Sequence, residues 1–210
     1  MPQSQANELP EGFVYLKDEI PSIQIDVRYF GNSNFVGEHV DGYEKAVCII
    51  SKPAAFALKN VQQELSTFGL GLKVFDSYRP QRAVNHFARW AEDLNDTKTK
   101  AEYYPGLDKQ ALIPSGYIVM KSSHSRGSTA DLTIIDLTTL EEMDMGTAFD
   151  FFSPKSWPDN LSITAEQRAN RMLLQQTMIK HGFKPLEQEW WHFTLKDEPY
   201  PDVYFDFPVK

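Results

Sequence analysis

The sequence predicts an α+β domain in which helices flank a mainly antiparallel sheet. Three segments have the apolar spacing of amphipathic helices, and four short runs of strand-forming residues lie around them. The two kinds of element mix without the regular strand–helix–strand alternation of a parallel sheet. With 210 residues, 41% of them hydrophobic, the chain is long and apolar enough to bury one core.

The first two predicted helices lie in the N-terminal half of the chain. One spans residues 53–68, with Ser51 as a candidate N-cap, a proline in the first turn and Gly69 as a left-handed end. The other lies within residues 79–94. Its predicted apolar stripe consists of Val84, Phe87, Trp90, Ala91 and Leu94.

The third predicted helix follows Thr164, which forms a capping-box pattern with Gln167. Its predicted apolar face consists of Ala165, Ala169, Met172 and Leu173, and the helix closes near Gly182. Short strands are predicted over residues 72–77, 116–122, 131–136 and 190–195, where β-branched and aromatic residues concentrate.

Composition excludes several classes of partner. The net charge of −8 and the pI near 5.1 argue against nucleic acid or an anionic membrane as the main partner. No run reaches the roughly 20 apolar residues that a membrane span needs. The single cysteine, Cys48 in "AVCII", is expected to be a buried apolar residue. The polar first residues predict a cytoplasmic protein as the sequence stands, or a periplasmic one if a signal peptide has been removed.

Two stretches carry candidate chemistry. In "SSHSRGSTADLT", His124 precedes loop-forming residues and Asp131 opens a predicted strand. In "LEQEWWHFTL", Glu189 and His192 flank two tryptophans. Two imidazoles and one carboxylate suit tetrahedral Zn²⁺ with an open fourth position, and Glu189 would remain free as a general base. The spacing alone also fits core tryptophans beside a hydrogen-bonded histidine.

Regular strand geometry restricts this hypothesis. Residues three apart in a straight strand point to opposite faces, so Glu189 and His192 could not both face one metal ion there. We therefore expect the chain to bend or bulge before His192, or Glu189 to lie in the preceding loop.

Taken together, the two stretches resemble a known pattern. "SSHSRGSTADLT" is similar to the SxHxxGxAxD motif of the zinc D,D-peptidases with the Hedgehog-type fold, and "EWWHF" to that family's ExxH. A closer resemblance, to the VanX-type D-alanyl-D-alanine dipeptidases, rests on "DSYRPQRAV", "DGY" at 41–43, "MGTAFDFF" and "DEPYPDVYFDFPVK". It covers residues 13–210 as a single zinc dipeptidase domain and leaves residues 1–12 as a polar tail.

The resemblance implies a role for each of nine residues. It implies one Zn²⁺ per chain, held by His124, Asp131 and His192. It makes Glu189 the general base and Arg79 the group that stabilises the oxyanion. It also implies that the substrate is contacted by Ser122, Tyr29, Tyr43 and Asp150, the last three around the charged ends of a dipeptide.

The implied reaction is hydrolysis of D-Ala-D-Ala to two molecules of D-alanine by a metal-activated water. Both vancomycin resistance and recovery of D-alanine would use this reaction, and the sequence leaves the oligomeric state open. One alternative is a D,D-carboxypeptidase acting on longer peptidoglycan peptides, which "MGTAFDFF" disfavours because this segment closes around a small substrate in the dipeptidases. Another is a zinc-bearing binding module without hydrolysis, which would need neither Glu189 nor Arg79.

Overall fold

The computed structural model describes residues 9–210, so most of the predicted polar tail of residues 1–12 lies outside the described residues. A five-stranded sheet forms the centre of the fold. Its strands are β2 (Gln24–Ile25), β4 (Leu70–Asp76), β5 (Thr129–Asp136), β6 (Phe183–Leu186) and β7 (Glu189–Leu195). Two further strands, β1 (Phe13–Tyr15) and β3 (Ile49–Ser51), pair separately and antiparallel.

The strand order β2-β4-β5-β7-β6 confirms the predicted mainly antiparallel sheet. Only β2 and β4 run parallel, whereas the pairs β4–β5, β5–β7 and β6–β7 are all antiparallel. Strand β5 occupies the middle, and all of its residues except Asp136 are buried. Its run of β-branched and small side chains suits a strand that is covered on both faces.

Within residues 9–210, five α-helices accompany the strands: α1 (Leu16–Glu19), α2 (Lys52–Ser66), α3 (Gln81–Glu92), α4 (Lys100–Tyr103) and α5 (Ala165–Lys180). Helix α2 matches its prediction, and Gly69 beyond it has the expected left-handed φ of 74°. Ser51 stands at the N-cap position, but its side chain makes no cap hydrogen bond, because its hydroxyl lies 2.7 Å from that of Ser128.

The predicted stripe of α3 is confirmed except at its end. Val84, Phe87, Trp90 and Ala91 are buried. Leu94 is 52% exposed, because the helix stops at Glu92 and the chain turns away.

The capping box of α5 is confirmed, but the predicted apolar face is wrong. Met172 is 61% exposed, and the buried face includes Asn170 and Arg171 instead. These two polar side chains are buried because they donate hydrogen bonds to backbone carbonyls of the segment that precedes the helix.

The predicted strand over 116–122 is also wrong. The segment forms turns and bends, because the backbone N–H groups of Tyr117 and Ile118 both donate to the carbonyl of Leu112. Gly116 takes a φ of 80° at this reversal, which suits glycine. The segment leads into the 3-10 turn Ser123–Arg126.

Cys48 is buried, as expected. Among residues 9–210, no helix has the length and apolarity that crossing a membrane requires.

Candidate active site

A cavity of about 230 Å³ opens beside strands β5 and β7. Pockets for drug-sized ligands begin at roughly 300 Å³, so this cavity suits a smaller molecule. Its walls come from the 116–124 segment, from the hairpin between β6 and β7, and from side chains of other elements. Eight of the nine predicted site residues line it: Tyr29, Arg79, Ser122, His124, Asp131, Asp150, Glu189 and His192.

Three candidate metal ligands meet at the inner end of this cavity. Asp131 on β5 and His192 on β7 are direct cross-strand partners. His124 stands on the 3-10 turn, which Gly127, with a φ of 83°, leads back into β5. His124 Nε2 lies 3.2 Å from Asp131 Oδ2, His192 Nδ1 lies 3.1 Å from Asp131 Oδ1, and the two nitrogens are 3.3 Å apart.

In each imidazole, one ring nitrogen makes a hydrogen bond that points away from Asp131, and this bond leaves the other nitrogen facing the cluster. His124 Nδ1 lies 2.7 Å from the carbonyl oxygen of Ser77, which can only accept, so Nδ1 carries the proton and Nε2 presents a lone pair. His192 Nε2 contacts the hydroxyl of Ser123 at 3.2 Å, which leaves Nδ1 to the interior. Burial lowers the pKa of His124 and so favours its neutral form, whereas at His192 desolvation is outweighed by the Asp131 carboxylate, which raises the pKa of that imidazole.

This arrangement fits a metal ion. The ligand atoms of His124, Asp131 and His192 all lie within 4.8 Å of one another. Asp131 Oδ1 is buried without a hydrogen-bond partner among the described residues, although nearly all buried polar atoms have one. Lone pairs and a carboxylate that converge in a buried space need a cation between them, and this donor set is one that Zn²⁺ accepts.

Glu189 reaches the same cluster because β7 is irregular. Pro185 of β6 pairs with Phe193 of β7, but the next residue of β6, Leu186, pairs with Glu189 and not with His192. The register of the two strands therefore shifts at this point. The shift leaves residues 190–192 without partners in β6, so of the two expected alternatives the structure has the bulge before His192, with Glu189 in β7 and not in the preceding loop. Glu189 Oε2 lies 3.5 Å from His192 Nδ1, and burial raises the pKa of Glu189 to about 7.

Arg79 is held over the cluster by two carboxylates. Its Nε donates to Asp76 Oδ2 at 2.8 Å, and its Nη2 donates to Asp131 Oδ2 at 3.3 Å. The guanidinium also lies 5.0 Å above the ring of Tyr29. A guanidinium has five N–H groups, so most of its donors are not used by these two contacts.

Asp76 is a site residue that the sequence analysis missed. It is almost fully buried at the end of β4, and besides Arg79 it accepts a hydrogen bond of 2.7 Å from the hydroxyl of Tyr43. It also lies 3.6 Å from His124 Nδ1. Its signal was its position at the end of a buried strand in "DSYRP", three residues before Arg79.

Tyr43 is the one predicted site residue that the structure places behind the cavity wall. Its side chain is buried, its hydroxyl is taken by Asp76, and it does not line the cavity. Direct contact between Tyr43 and a substrate stays a prediction. Its observed contact is the hydrogen bond to Asp76, the carboxylate that also binds Arg79.

Tyr29, Asp150 and Ser122 form further parts of the wall. The hydroxyl of Tyr29 donates to Asp150 Oδ2 at 2.8 Å, although the two residues are 121 positions apart in the sequence. Asp150 is buried, which raises its pKa well above the usual value, and the negative charge of Asp131 adds to this shift. The hydroxyl of Ser122 accepts from the backbone N–H of His124 at 3.3 Å and caps the 3-10 turn.

Comparison with known proteins identifies the family to which the chain belongs. Residues 10–210 match the model of the peptidase M15 family, described as D-Ala-D-Ala dipeptidase. The chain is 42% identical over 199 residues to a D-alanyl-D-alanine dipeptidase of Enterococcus faecium, an alignment that covers 95% of this chain and 98% of that protein. It is 40% identical over 197 residues to a D-alanyl-D-alanine dipeptidase of Streptomyces coelicolor, covering 94% and 98%.

Proposed function

Because the chain belongs to the peptidase M15 family of D-Ala-D-Ala dipeptidases, we propose that it is a metallopeptidase that hydrolyses D-Ala-D-Ala to two molecules of D-alanine. The observation that carries this proposal is the convergence of two imidazoles and Asp131 in a small cavity that Glu189 and Arg79 also line. A turnover assay on D-Ala-D-Ala, with metal analysis of the same sample, tests it.

The resident metal in this proposal is one Zn²⁺ per chain, held by His124, Asp131 and His192. The donor set of two nitrogens and one oxygen supports this choice, since it leaves a fourth tetrahedral position open. When bound, zinc lowers the pKa of a water molecule and polarises a carbonyl group.

Glu189 is proposed to move the protons of the reaction. Its pKa near 7 suits a group that accepts a proton from the attacking water and then donates it to the leaving amine. Burial supports this role, because it raises the pKa of the carboxyl group from its usual range.

Arg79 is proposed to stabilise the negative charge that develops on the scissile carbonyl oxygen. Its contacts with Asp76 and Asp131 hold the guanidinium in one orientation before the substrate binds, and they leave further N–H groups for the oxyanion. Asp76 and Tyr43 then act as support for Arg79.

The charged ends of the dipeptide are proposed to determine its orientation. Asp150, buried and bonded to Tyr29, is the proposed partner of the substrate ammonium group. Ser122, whose hydroxyl proton is not used by the cap contact, is proposed to donate to the substrate on the wall next to His124.

Glu189→Gln is expected to retain its metal and lower kcat at least ~10²-fold, since the amide keeps the shape of the side chain but cannot accept the proton. Steady-state kinetics and elemental analysis of the same preparation provide the measurement. Glu187→Gln is the matched control, because Glu187 is exposed in the same hairpin and does not line the cavity. Turnover of Glu189→Gln at the wild-type rate would remove Glu189 from the mechanism.

Arg79→Lys is expected to keep the fold and the metal while kcat falls by about 10²-fold, because lysine lacks the fork of donors aimed at the oxyanion. Arg82→Lys serves as the control, since Arg82 is exposed and pairs with Asp206. A variant in which only KM rises would instead indicate that Arg79 binds the ground state and the transition state equally.

A further inference from the structure

The buried polar face of α5 holds the segment that carries Asp150. Gln167, Asn170 and Arg171 are spaced so that they lie on one side of the helix. Gln167 Nε2 donates to Asp144 Oδ2 at 2.8 Å, and Asn170 Nδ2 donates to the carbonyl of Asp144 at 2.9 Å. Arg171 contacts residues that follow Asp144 in the chain. We call residues 145–157 the Asp150 segment.

Arg171 bonds to both ends of the Asp150 segment. Its Nε donates to the carbonyl of Met145 at 2.6 Å, and its Nη1 donates to the carbonyl of Trp157 at 2.8 Å. Its Nη2 lies 3.5 Å from the hydroxyl of Thr147. Arg171 is 3% exposed, and no carboxylate of the described residues lies within 4.0 Å of it. Hydrogen bonds must offset the cost of burying this charge, and the acceptors of Arg171 all belong to the Asp150 segment, so the cation is stable only while the segment stays in place.

The backbone of Asp150 has an uncommon conformation. Its φ of 60° lies in the left-handed region that residues with side chains seldom adopt. A conformation of this kind persists only where the surroundings fix it. Phe149 stacks on Phe75 at a centroid distance of 4.8 Å, and the N–H of Phe152 donates to the carbonyl of Tyr103 at 2.7 Å. These contacts and the hydrogen bond from Tyr29 hold the middle of the segment, and Arg171 holds its two ends.

Thr147 links the contacts of Arg171 to strand β7, which carries Glu189. Its hydroxyl accepts from Trp190 Nε1 at 2.9 Å, and Trp190 is the residue that follows Glu189 on β7. Arg171 thus bonds to a threonine that also contacts the bulged strand of the candidate base.

We propose that Arg171 is a positioning residue that fixes Asp150 and thereby sets how strictly the enzyme selects a dipeptide over a longer peptide. This inference rests on the proposed function, because it takes Asp150 as the group that pairs with the substrate ammonium. Arg171 acts through the Asp150 segment and does not touch the substrate.

The test compares Arg171→Lys with wild type in the full chain at matched zinc content. Lysine keeps the charge but cannot bond to both ends of the segment at once. We expect KM for D-Ala-D-Ala to rise about 10-fold, and the ratio of kcat/KM for D-Ala-D-Ala to that for N-acetyl-D-Ala-D-Ala to fall about 10-fold, since small displacements of positioning groups have effects of this size or larger.

Arg168→Lys is the matched control. Arg168 lies three residues earlier on α5 and donates to the carbonyl of Ile163, outside the Asp150 segment, so its variant should keep the wild-type ratio. If Arg171→Lys does not fold, Thr147→Val takes its place, because it removes an acceptor of the same network without touching the cation, and the same fall in the ratio is expected.

A double-mutant cycle with Asp150→Asn shows whether the effect passes through Asp150. The inference requires that Arg171→Lys no longer changes the ratio once Asp150 has lost its charge. An unchanged ratio in the Arg171→Lys or substitute Thr147→Val variant, or an equal fall in the Asp150→Asn background, would overturn it. Absence of D-Ala-D-Ala hydrolysis in wild type would instead overturn the proposed function itself.

Discussion

Removal of the His192 imidazole is expected to abolish dipeptide hydrolysis together with metal binding. His192 supplies one of the three ligand atoms that the described residues bring together in the candidate centre, so His192→Ala leaves two. Loss of a residue that merely orients a ligand lowers metal affinity about 10–100-fold, and loss of a ligand itself should exceed that range. Elemental analysis after gel filtration should then find well below one zinc per chain.

His181→Ala is the control for this experiment, because His181 pairs with Glu64 outside the cavity. A chelator should abolish the activity of wild type, and added Zn²⁺ should restore it. Full zinc occupancy in His192→Ala would contradict the ligand assignment.

The second large effect concerns substrate length. A longer peptide or an acylated dipeptide carries a neutral amide where D-Ala-D-Ala carries an ammonium group. Asp150, whose pKa is raised by burial, would then take up a proton or stay charged without a partner, and in either case the loss of the ion pair costs several kcal/mol. Efficiency on D-Ala-D-Ala is therefore expected to exceed that on N-acetyl-D-Ala-D-Ala by at least ~10³-fold, which corresponds to a penalty of about 4 kcal/mol.

The measurement is kcat/KM for both substrates at matched zinc content, with Asp150→Asn beside wild type. The asparagine variant should lose most of its advantage on the dipeptide, since it has no charge to pair with the ammonium group. Equal efficiency of wild type on the dipeptide and on a peptidoglycan pentapeptide would favour the D,D-carboxypeptidase alternative.

Strands β4, β5 and β7 could be predicted because their signals are local, whereas the short edge strands β2 and β6 were missed. The spacing of His124, Asp131 and His192 alone left the metal site open, and the motif resemblance identified them as candidate ligands. The β-branched and aromatic runs around Asp131 and His192 identify β5 and β7, and the pairing of these strands brings the two side chains together. Strand geometry excluded a straight strand from Glu189 to His192, but it could not decide between a bulge and a position of Glu189 in the preceding loop.

The buried face of α5 could not be predicted from the spacing of apolar residues. Arg171 is buried because carbonyl groups of the Asp150 segment surround it, and hydropathy contains no information about such partners. The loop at 116–122 has strand-forming side chains, but its backbone hydrogen bonds return to Leu112 instead of a neighbouring strand. Asp76 had a local signal in Arg79 three residues later, whereas its contact with Tyr43, 33 residues away, could not be predicted.

The position of β5 in the sheet has a consequence for synthesis of the protein on the ribosome. His124 and Asp131 leave the ribosome before β7, which lies beside β5 in the sheet and carries His192. A nascent chain that has not yet released β7 therefore presents one edge of its central strand unpaired, and such edges promote aggregation. We therefore expect that chaperone protection is needed until β7 emerges, and that the proposed zinc ion is bound only after His192 has emerged.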